Sequence, residues 1–503
     1  IEDYLNSHIM IEKSLIRRHK NGQLNYQLLR NLKNKKLFEN EMFTIMDNMN
    51  KELPDRDRID AKFKEPNYIN EKFDSIFKNI FEPINKAKTK ANNNKQNSEV
   101  YKTNKFKISI KYKIDNPEKQ VDRRVKLFDP VFVKNNKDIL SMKVNGKPLE
   151  ANVYDKEGKL IKKVGLLKEY YMNYKNEEKI NVVLEEKENK YITDMSYMLN
   201  NCKNIINVAF ESNDLRNIIS MEGMFQLSNI SDIEKIVGFN QLQTQNLENI
   251  RAMFSKCIKL QINKDLEKLF FRFNSNEIKL KDMSMLFNGC KNINKINFNL
   301  FHSKTKLDKL IDISYMFNRC TKLKDISNLK INSTNIKYMA GVFNGCKSLN
   351  NIYLYLNTPN VEDMSIMFQE CENLEKIENK YSDFKKVKDI SGMFSNCSKL
   401  SSIKNIIYAT ENITNMAGLF NGCKSLASPP DCIRYWLLNK VENANMMFAG
   451  CDKLTAPKWL SQLKFKKGDY IDKILDKSKL DKNIIQTWKN NAIVMNENKI
   501  KDS

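Results

Sequence analysis

Residues 339–349 read MAGVFNGCKSL and residues 416–426 read MAGLFNGCKSL, a near-identity across 77 positions that decides how the rest is read. Working outward, the same phrase returns as MSYMLNNCKNI (195–205), IRAMFSKCIKL (250–260), MSMLFNGCKNI (283–293) and ISYMFNRCTKL (313–323). MSIMFQECENL (364–374), ISGMFSNCSKL (390–400) and ANMMFAGCDKL (444–454) complete the Cys-bearing set. A tenth copy, MEGMFQLSNI (221–230), carries Ser228 in place of the Cys. From copy to copy the first residue of the central apolar pair advances by 26, 29, 33, 30, 26, 25, 26, 26 and 28 residues. Self-similarity at such a period marks a stack of units, none of which buries its own apolar face.

Within a copy, Met283, Leu286, Phe287 and Cys290 fall at i, i+3, i+4 and i+7, which predicts one face of a short helix. Asp194, Asp282, Asp312, Asp363, Asp389 and Asn415 stand just before their copies as N-cap residues. Gly289, Gly345, Gly422 and Gly450 stand before the Cys, where a two-turn helix would end. An extended segment follows. The expectation is an α/β solenoid of about ten coils with an inner ladder of Met, Phe, Cys and Leu.

The cysteines of that ladder are Cys202, Cys257, Cys290, Cys320, Cys346, Cys371, Cys397, Cys423 and Cys451; Cys432 lies outside the register. Three roles compete. A metal site needs ligands converging on a point, whereas a ladder spreads them one per coil. Disulfides need Cα atoms within about 7 Å, and cysteines ending stacked helices would stand about 8–10 Å apart. The favoured reading is a small buried side chain in a tight slot, and Ser228 fits it. Many unbridged thiols suit a reducing compartment.

These residues resemble the BspA-type leucine-rich-repeat family, in the Met-Phe-Asn-Gly-Cys-Lys-Ser-Leu flavour of protists and mollicutes. The resemblance spans 195–454. The stretch LFDPVFVKNNKDILSMKVNGKPLEANV (127–153) is similar to the small β module preceding such repeats in ciliate-type members. The resemblance implies a leucine-rich-repeat array that binds other macromolecules, with no catalytic residues to carry over. The longer coils between 225 and 316 and the extension before residue 100 depart from the family pattern.

Beyond the repeats, residues 1–90 read as a helical arm, with Ile9, Ile16, Leu24, Leu28, Leu29, Leu32, Phe43 and Ile45 at helical spacing among basic residues. KAKTKANNNKQNSE (86–99) reads as a linker, placed at 91–103. Residues 104–190 read as a small β-rich cap. Phe106 to Ile114 alternate with lysines, and Asn145-Gly146 signals a hairpin between 140–144 and 149–153. The solenoid takes 191–457, and 458–503 read as a helical C-terminal cap through Ile471, Ile474, Leu475, Ile484, Ile485 and Trp488.

The chain has 503 residues, with 85 Lys plus Arg against 61 Asp plus Glu, a net charge of +24. The excess is diffuse, about +11 before residue 200 and +13 after it, so it attracts RNA or acidic surfaces without marking a groove. Only His8, His19 and His302 occur, and none has a Cys or second His at ligand spacing. With no phosphate loop and no converging nucleophile, the sequence reads as non-enzymatic, with no cofactor or metal expected. No run of 18 apolar residues suggests a membrane span.

Partner-binding candidates come from two places. The long coils interleave aromatics with cations: Phe270, Phe271, Arg272 and Phe273, then Phe298, Phe301, Lys304 and Lys306. In IYLYL (352–356), alternation puts Ile352, Leu354 and Leu356 inward and Tyr353 and Tyr355 on an exposed concave face. The expected function is a non-catalytic protein–protein scaffold, an accessory subunit of an intracellular or organellar assembly. A secreted or cell-surface adhesin is the alternative; it would add a signal peptide upstream of Ile1 and an anchor. A subunit that contacts RNA is a third.

Overall fold

The computed structural model describes residues 105–113, 124–154, 160–165, 171–173, 179–212, 214–228, 236–262, 279–296, 309–327, 329–379, 385–404, 410–455 and 483–490, with 457, 460, 463, 473 and 474. The chain divides into two compact units, 1–100 and 101–503, and every described residue belongs to the second. The expected arm (1–90) and linker (91–103) lie outside the described residues.

The first element is strand β1 (Lys107–Lys113), whose alternation is as sharp as the sequence suggests: Ile108, Ile110 and Tyr112 are buried between exposed or half-buried Lys and Ser. It pairs antiparallel with β8 (Lys179–Glu186) in full register, Ile110 opposite Val182. β3 (Leu140–Val144) flanks β8 on the far side. The hairpin from β3 to β4 (Lys147–Pro148) turns on Asn145 and Gly146, with φ of 48° and 79°. Two consecutive positive φ values match the right-handed twist of the flanking strands. The chain then leaves this sheet, and β5 (Glu150–Tyr154) pairs with β6 (Leu160–Gly165) instead. β2 (Arg124–Lys126) pairs with β7 (Tyr171–Asn173). Between them helix α1 (Pro130–Asn136) starts where Asp129 accepts the Val131 N–H at 2.9 Å, with Pro130 at the first helical position.

The cap sheet does not stop at residue 190. β1 also pairs with β9 (Ile205–Phe210), the extended segment of the first repeat, and β9 pairs in parallel with β10 (Ile236–Val237). Residues of the cap fill the place a preceding repeat would take. The Leu127 carbonyl accepts the Cys202 thiol at 3.4 Å, and Asn136 Nδ2 donates to the Asp194 carbonyl at 3.0 Å.

From Asp194 onward, successive repeats pair in parallel register. Isolated bridges run Asp194 to Ser220, Ser220 to Asn249, Asn249 to Asp282, Asp282 to Asp312, and on through Tyr338, Asp363, Asp389 and Asn415 to Asn443. One ring per repeat stacks on the next. From Phe225 through Phe254, Phe287, Phe317, Phe343, Phe368, Phe394 and Phe420 to Phe448, neighbouring centroids stand 5.4–5.9 Å apart. All nine are buried.

The repeated phrase is not a helix. In the copy at 283–290, the N–H groups of Met283, Met285, Phe287 and Gly289 donate to the Asp312, Ser314, Met316 and Asn318 carbonyls of the next repeat, at 2.7–3.0 Å. The intervening N–H groups of Leu286, Asn288 and Cys290 close turns onto Met283, Met285 and Phe287 of the same repeat. Met285 and Gly289 sit at φ of 58° and 72°. An α-helix tolerates no such left-handed residues and sends all its N–H groups backwards along itself. Two left-handed residues per copy turn alternate N–H groups sideways, and the phrase becomes a ribbon of turns hydrogen-bonded to its neighbour. The predicted caps keep their chemistry in this setting. Asp282, Asp312, Asp363 and Asp389 each accept the backbone N–H two residues on, at 2.7–2.9 Å, as Asx-turns.

Further along, β11 (Lys330–Asn332), β12 (Asn351–Asn357), β13 (Lys376–Asn379) and β14 (Ser402–Lys404) form a parallel sheet in chain order. At the far end, the Met446 N–H donates to the Lys473 carbonyl at 2.7 Å, so residues 473–474 receive the last repeat's sideways N–H groups. Helix α2 (Asn483–Asn490) follows, its Ile484 packed against the core.

Candidate interaction face

The β11–β14 sheet buries Ile331, Ile352, Leu354, Leu356 and Ile377 on one side. Alternation then sends the intervening residues outward. Tyr353 is 66% exposed, Tyr355 is half-buried, and Lys330, Lys376 and Lys404 are exposed. Register aligns them in rows: Lys330 beside Tyr355, then Tyr353 beside Glu378 beside Lys404, then Asn351 beside Lys376 beside Ser402. The Lys330 ammonium lies 5.7 Å from the centre of the Tyr355 ring, a cation–π distance. The Tyr353 hydroxyl bonds to Glu378, and that bond and the carboxylate's charge raise its pKa. At one end Asn379, fully buried, accepts the Leu356 N–H at 3.0 Å and pins β12 to β13. The face is therefore a rigid aromatic and cationic grid with one carboxylate inside it.

Tyr353 and Tyr355 stand where alternation predicts. Phe270, Phe271, Arg272, Phe273, Phe298, Phe301, Lys304 and Lys306 lie outside the described residues. One exposed group escaped the sequence reading. The short 3-10 turn Asp431–Tyr435 is held by buried Ile433, Trp436 and Leu438, and it presents Arg434, Tyr435 and Leu437, the last two 66% and 59% exposed. The Leu437 N–H donates to Thr410 Oγ1 at 2.8 Å. Its signal in the sequence is PPDCIRYWLL (429–438), which stands in a repeat only two residues longer than its neighbour.

The nine ladder cysteines are free and buried. Each of the last eight points its thiol at the Phe carbonyl of the preceding repeat: Cys257 at Phe225, Cys290 at Phe254, Cys320 at Phe287, Cys346 at Phe317, Cys371 at Phe343, Cys397 at Phe368, Cys423 at Phe394 and Cys451 at Phe420. All eight distances fall between 3.0 and 3.2 Å. Burial pushes the thiol pKa up, to about 12 for Cys202, Cys257 and Cys451. A thiol so far from ionisation is a poor nucleophile and a poor metal ligand. The spacing argument against disulfides, built on stacked helices, is replaced by this bonding: the repeats are stacked turns, and each of the nine ladder sulfurs is directed to an oxygen. Among the described residues no three His, Cys, Asp or Glu side chains are placed to hold a metal ion.

A second buried group is ionic. Glu222 accepts from the Tyr197 hydroxyl at 2.6 Å and from Asn249 Nδ2 at 3.1 Å, and Arg251 Nε stands 3.8 Å from it. Arg251 also donates to Ser284 Oγ at 2.7 Å, and its charge faces Asp282 and Asp312. Burial raises the pKa of Glu222 to about 7 and raises Asp282 and Asp312 as well. Glu222, Arg251, Asp282 and Asp312 are all buried.

The family described as "Mycoplasma protein of unknown function, DUF285" matches residues 167–298, 281–406 and 402–502, about two-thirds of the chain. The chain belongs to this DUF285 family. Three successive matches to one description make DUF285 a repeat family here, and its mycoplasmal origin agrees with the mollicute flavour of the Met-Phe-Asn-Gly-Cys phrase. The first DUF285 match reaches back into the cap, over β7 and β8. No curated protein and no solved structure matches the chain. Among the described residues, no helix is long and apolar enough to cross a membrane.

Proposed function

We propose that this chain is a non-catalytic interaction scaffold: a solenoid of the BspA-like leucine-rich-repeat type whose exposed strand face binds another protein. It serves as an accessory subunit of a larger intracellular or organellar assembly. One observation carries the reading. The side chains with chemical potential in the repeats, the thiols and the Asx carboxylates, are committed to hydrogen bonds within the stack. What the β11–β14 sheet presents outward is Tyr353, Tyr355 and lysines on a stiff backbone. Rigid aromatic side chains flanked by cations are the residue types that concentrate binding energy in protein interfaces. Rigidity matters because little conformational entropy is lost on docking.

The test is isolation of the native chain under mild ionic conditions, followed by measurement of mass and composition. A complex of fixed stoichiometry supports the scaffold. A chain recovered alone, or released from the cell exterior by washing, overturns it.

A further inference from the structure

We infer that the occupant of the β11–β14 face is an extended acidic segment of a partner protein, seated across the strands on Lys330, Lys376 and Lys404 and held by Tyr353 and Tyr355. This inference rests on the scaffold reading and names the chemistry of its partner.

The register sets the geometry. Lys376 and Lys404 lie on neighbouring strands, offset by two residues, which places their backbones about 8 Å apart. Lys330 is two strands from Lys376 and four residues along, about 16 Å away. An extended chain advances about 3.3 Å per residue. Lys330 and Lys404 are themselves three strands apart and two residues out of line, about 16 Å, so the three lysines form a triangle; carboxylates about five residues apart span Lys330 and Lys404, and Lys376 flanks that line. Three cations against one carboxylate make the face complementary to negative charge. The single carboxylate also separates two classes of acidic partner. Glu378 sits in the middle row, bonded to the Tyr353 hydroxyl and adjacent to Lys404. A nucleic acid strand carries a negative charge at every nucleotide and would have to lay one against Glu378. A peptide places a neutral or basic residue there and keeps its acids on the lysines. The Tyr355 ring, covered on one side by Lys330, is less open for base stacking than Tyr353.

The chain is so basic that any polyanion adheres to it, so the experiment compares two variants of equal charge. Lys330→Glu/Lys376→Glu/Lys404→Glu alters the face. Lys203→Glu/Lys291→Glu/Lys424→Glu alters three exposed lysines on the turns after the ladder cysteines. The probes are a fluorescein-labelled ten-residue poly-glutamate peptide and a labelled ten-residue oligouridine, each titrated against the full chain at one fixed salt concentration. Poly-glutamate affinity should fall at least tenfold in the face variant and less than twofold in the control. Should the face variant melt early, the Lys→Gln triple reads the same loss at smaller size. Equal losses in both variants, or no peptide binding by the unaltered chain, overturn the inference. So does oligouridine binding that exceeds the peptide's and disappears with the face, which would give the face to RNA. A face variant that still assembles into the native complex sinks this inference and moves the partner off this face while leaving the accessory-subunit reading; a native chain with no complex at all sinks the scaffold itself.

Discussion

The Phe343 carbonyl oxygen accepts two hydrogens: the Cys346 N–H of its own repeat at 3.1 Å and the Cys371 thiol of the next at 3.2 Å. That second bond gives the slot a reason to take cysteine, which fills it and also donates, in place of alanine, which does neither. A carbonyl has two lone pairs, and a buried one left half-satisfied loses free energy. Ser228 is the exception: its hydroxyl turns back to the Phe225 carbonyl of its own repeat at 2.7 Å, where the Cys257 thiol also points. Removing the thiol as Cys371→Ala should cost about 1–2 kcal/mol in a urea titration, since the carbonyl keeps one partner. Phe368→Ala removes a fully buried stacked ring and should cost about 3–5 kcal/mol. Tyr353→Ala, on the exposed face, should stay within about 0.5 kcal/mol of the unaltered chain. Comparable costs at Phe368 and Tyr353 would contradict the assignment of faces. Gly341 offers a separate check. It has φ of 59°, and a Cβ there would lie 2.5 Å from the Tyr315 ring. Gly341→Ala should destabilise by at least about 1 kcal/mol. Its cost should shrink when measured in a Tyr315→Ala background, a double-mutant cycle that independent sites would leave additive.

At the scale of the element, the sequence carried the repeat but misled about its shape. Met283, Leu286, Phe287 and Cys290 have helical spacing, yet a ribbon of three-residue turns also returns side chains to one face at steps of three and four. The pattern of apolar residues cannot tell the two apart. Glycine could have. Gly223, Gly341, Gly392 and Gly418 recur four positions before the residue preceding the Cys slot, where Gly345 and Gly422 recur in turn, and all have positive φ. Two glycine columns inside a supposed two-turn helix oppose a helix. The same columns also hold Tyr197, Met285, Tyr315 and Ile366, strained residues that hide the signal in most copies. Strand alternation was fully legible in β1 and β12, because each has one buried face. The exposed Arg434, Tyr435 and Leu437 were not, because a turn has no period to read.

The buried ionic network gives this scale its prediction. Burial raises the Glu222 carboxyl from 4.5 to about 7. Below about pH 4.5 the folded and unfolded chains both hold the proton. Between there and pH 7 the folded chain keeps a proton that the unfolded chain has released, so stability falls as pH rises, by up to about 3 kcal/mol. Asp282 and Asp312 shift in the same direction. Urea midpoints should therefore drop between pH 5 and pH 8, and Glu222→Gln should flatten the slope. A midpoint that rises across that range, or a slope indifferent to Glu222→Gln, would count against the network.

For the unit as a whole, each repeat sends its N–H groups to the next, so the first repeat needs donors for its carbonyls, an acceptor for its thiol and packing before it. Residues 126–136 of the cap supply them. Lys126 Nζ donates to the Asn200 carbonyl, Asn200 Nδ2 donates to Asp129, and Leu127 receives the Cys202 thiol. Asp129→Ala removes both this link and the cap of α1, and should cost about 2–3 kcal/mol. Hydrogen exchange should then show the repeat at 195–205 losing protection before the repeats at 339–400; uniform loss would contradict a cap acting at that end. The central claim is that the recurring side chains build the stack and do no chemistry, and thiol accessibility tests it most directly. The native chain, kept free of reductant, is treated with an alkylating reagent, and modified cysteines are counted by mass spectrometry with and without denaturant. Cys202, Cys257, Cys290, Cys320, Cys346, Cys371, Cys397, Cys423 and Cys451 should be untouched in the native chain and all modified once it unfolds. Rapid modification of any of them in the folded chain, or protection that persists after unfolding because sulfurs are bridged or metal-bound, would contradict it.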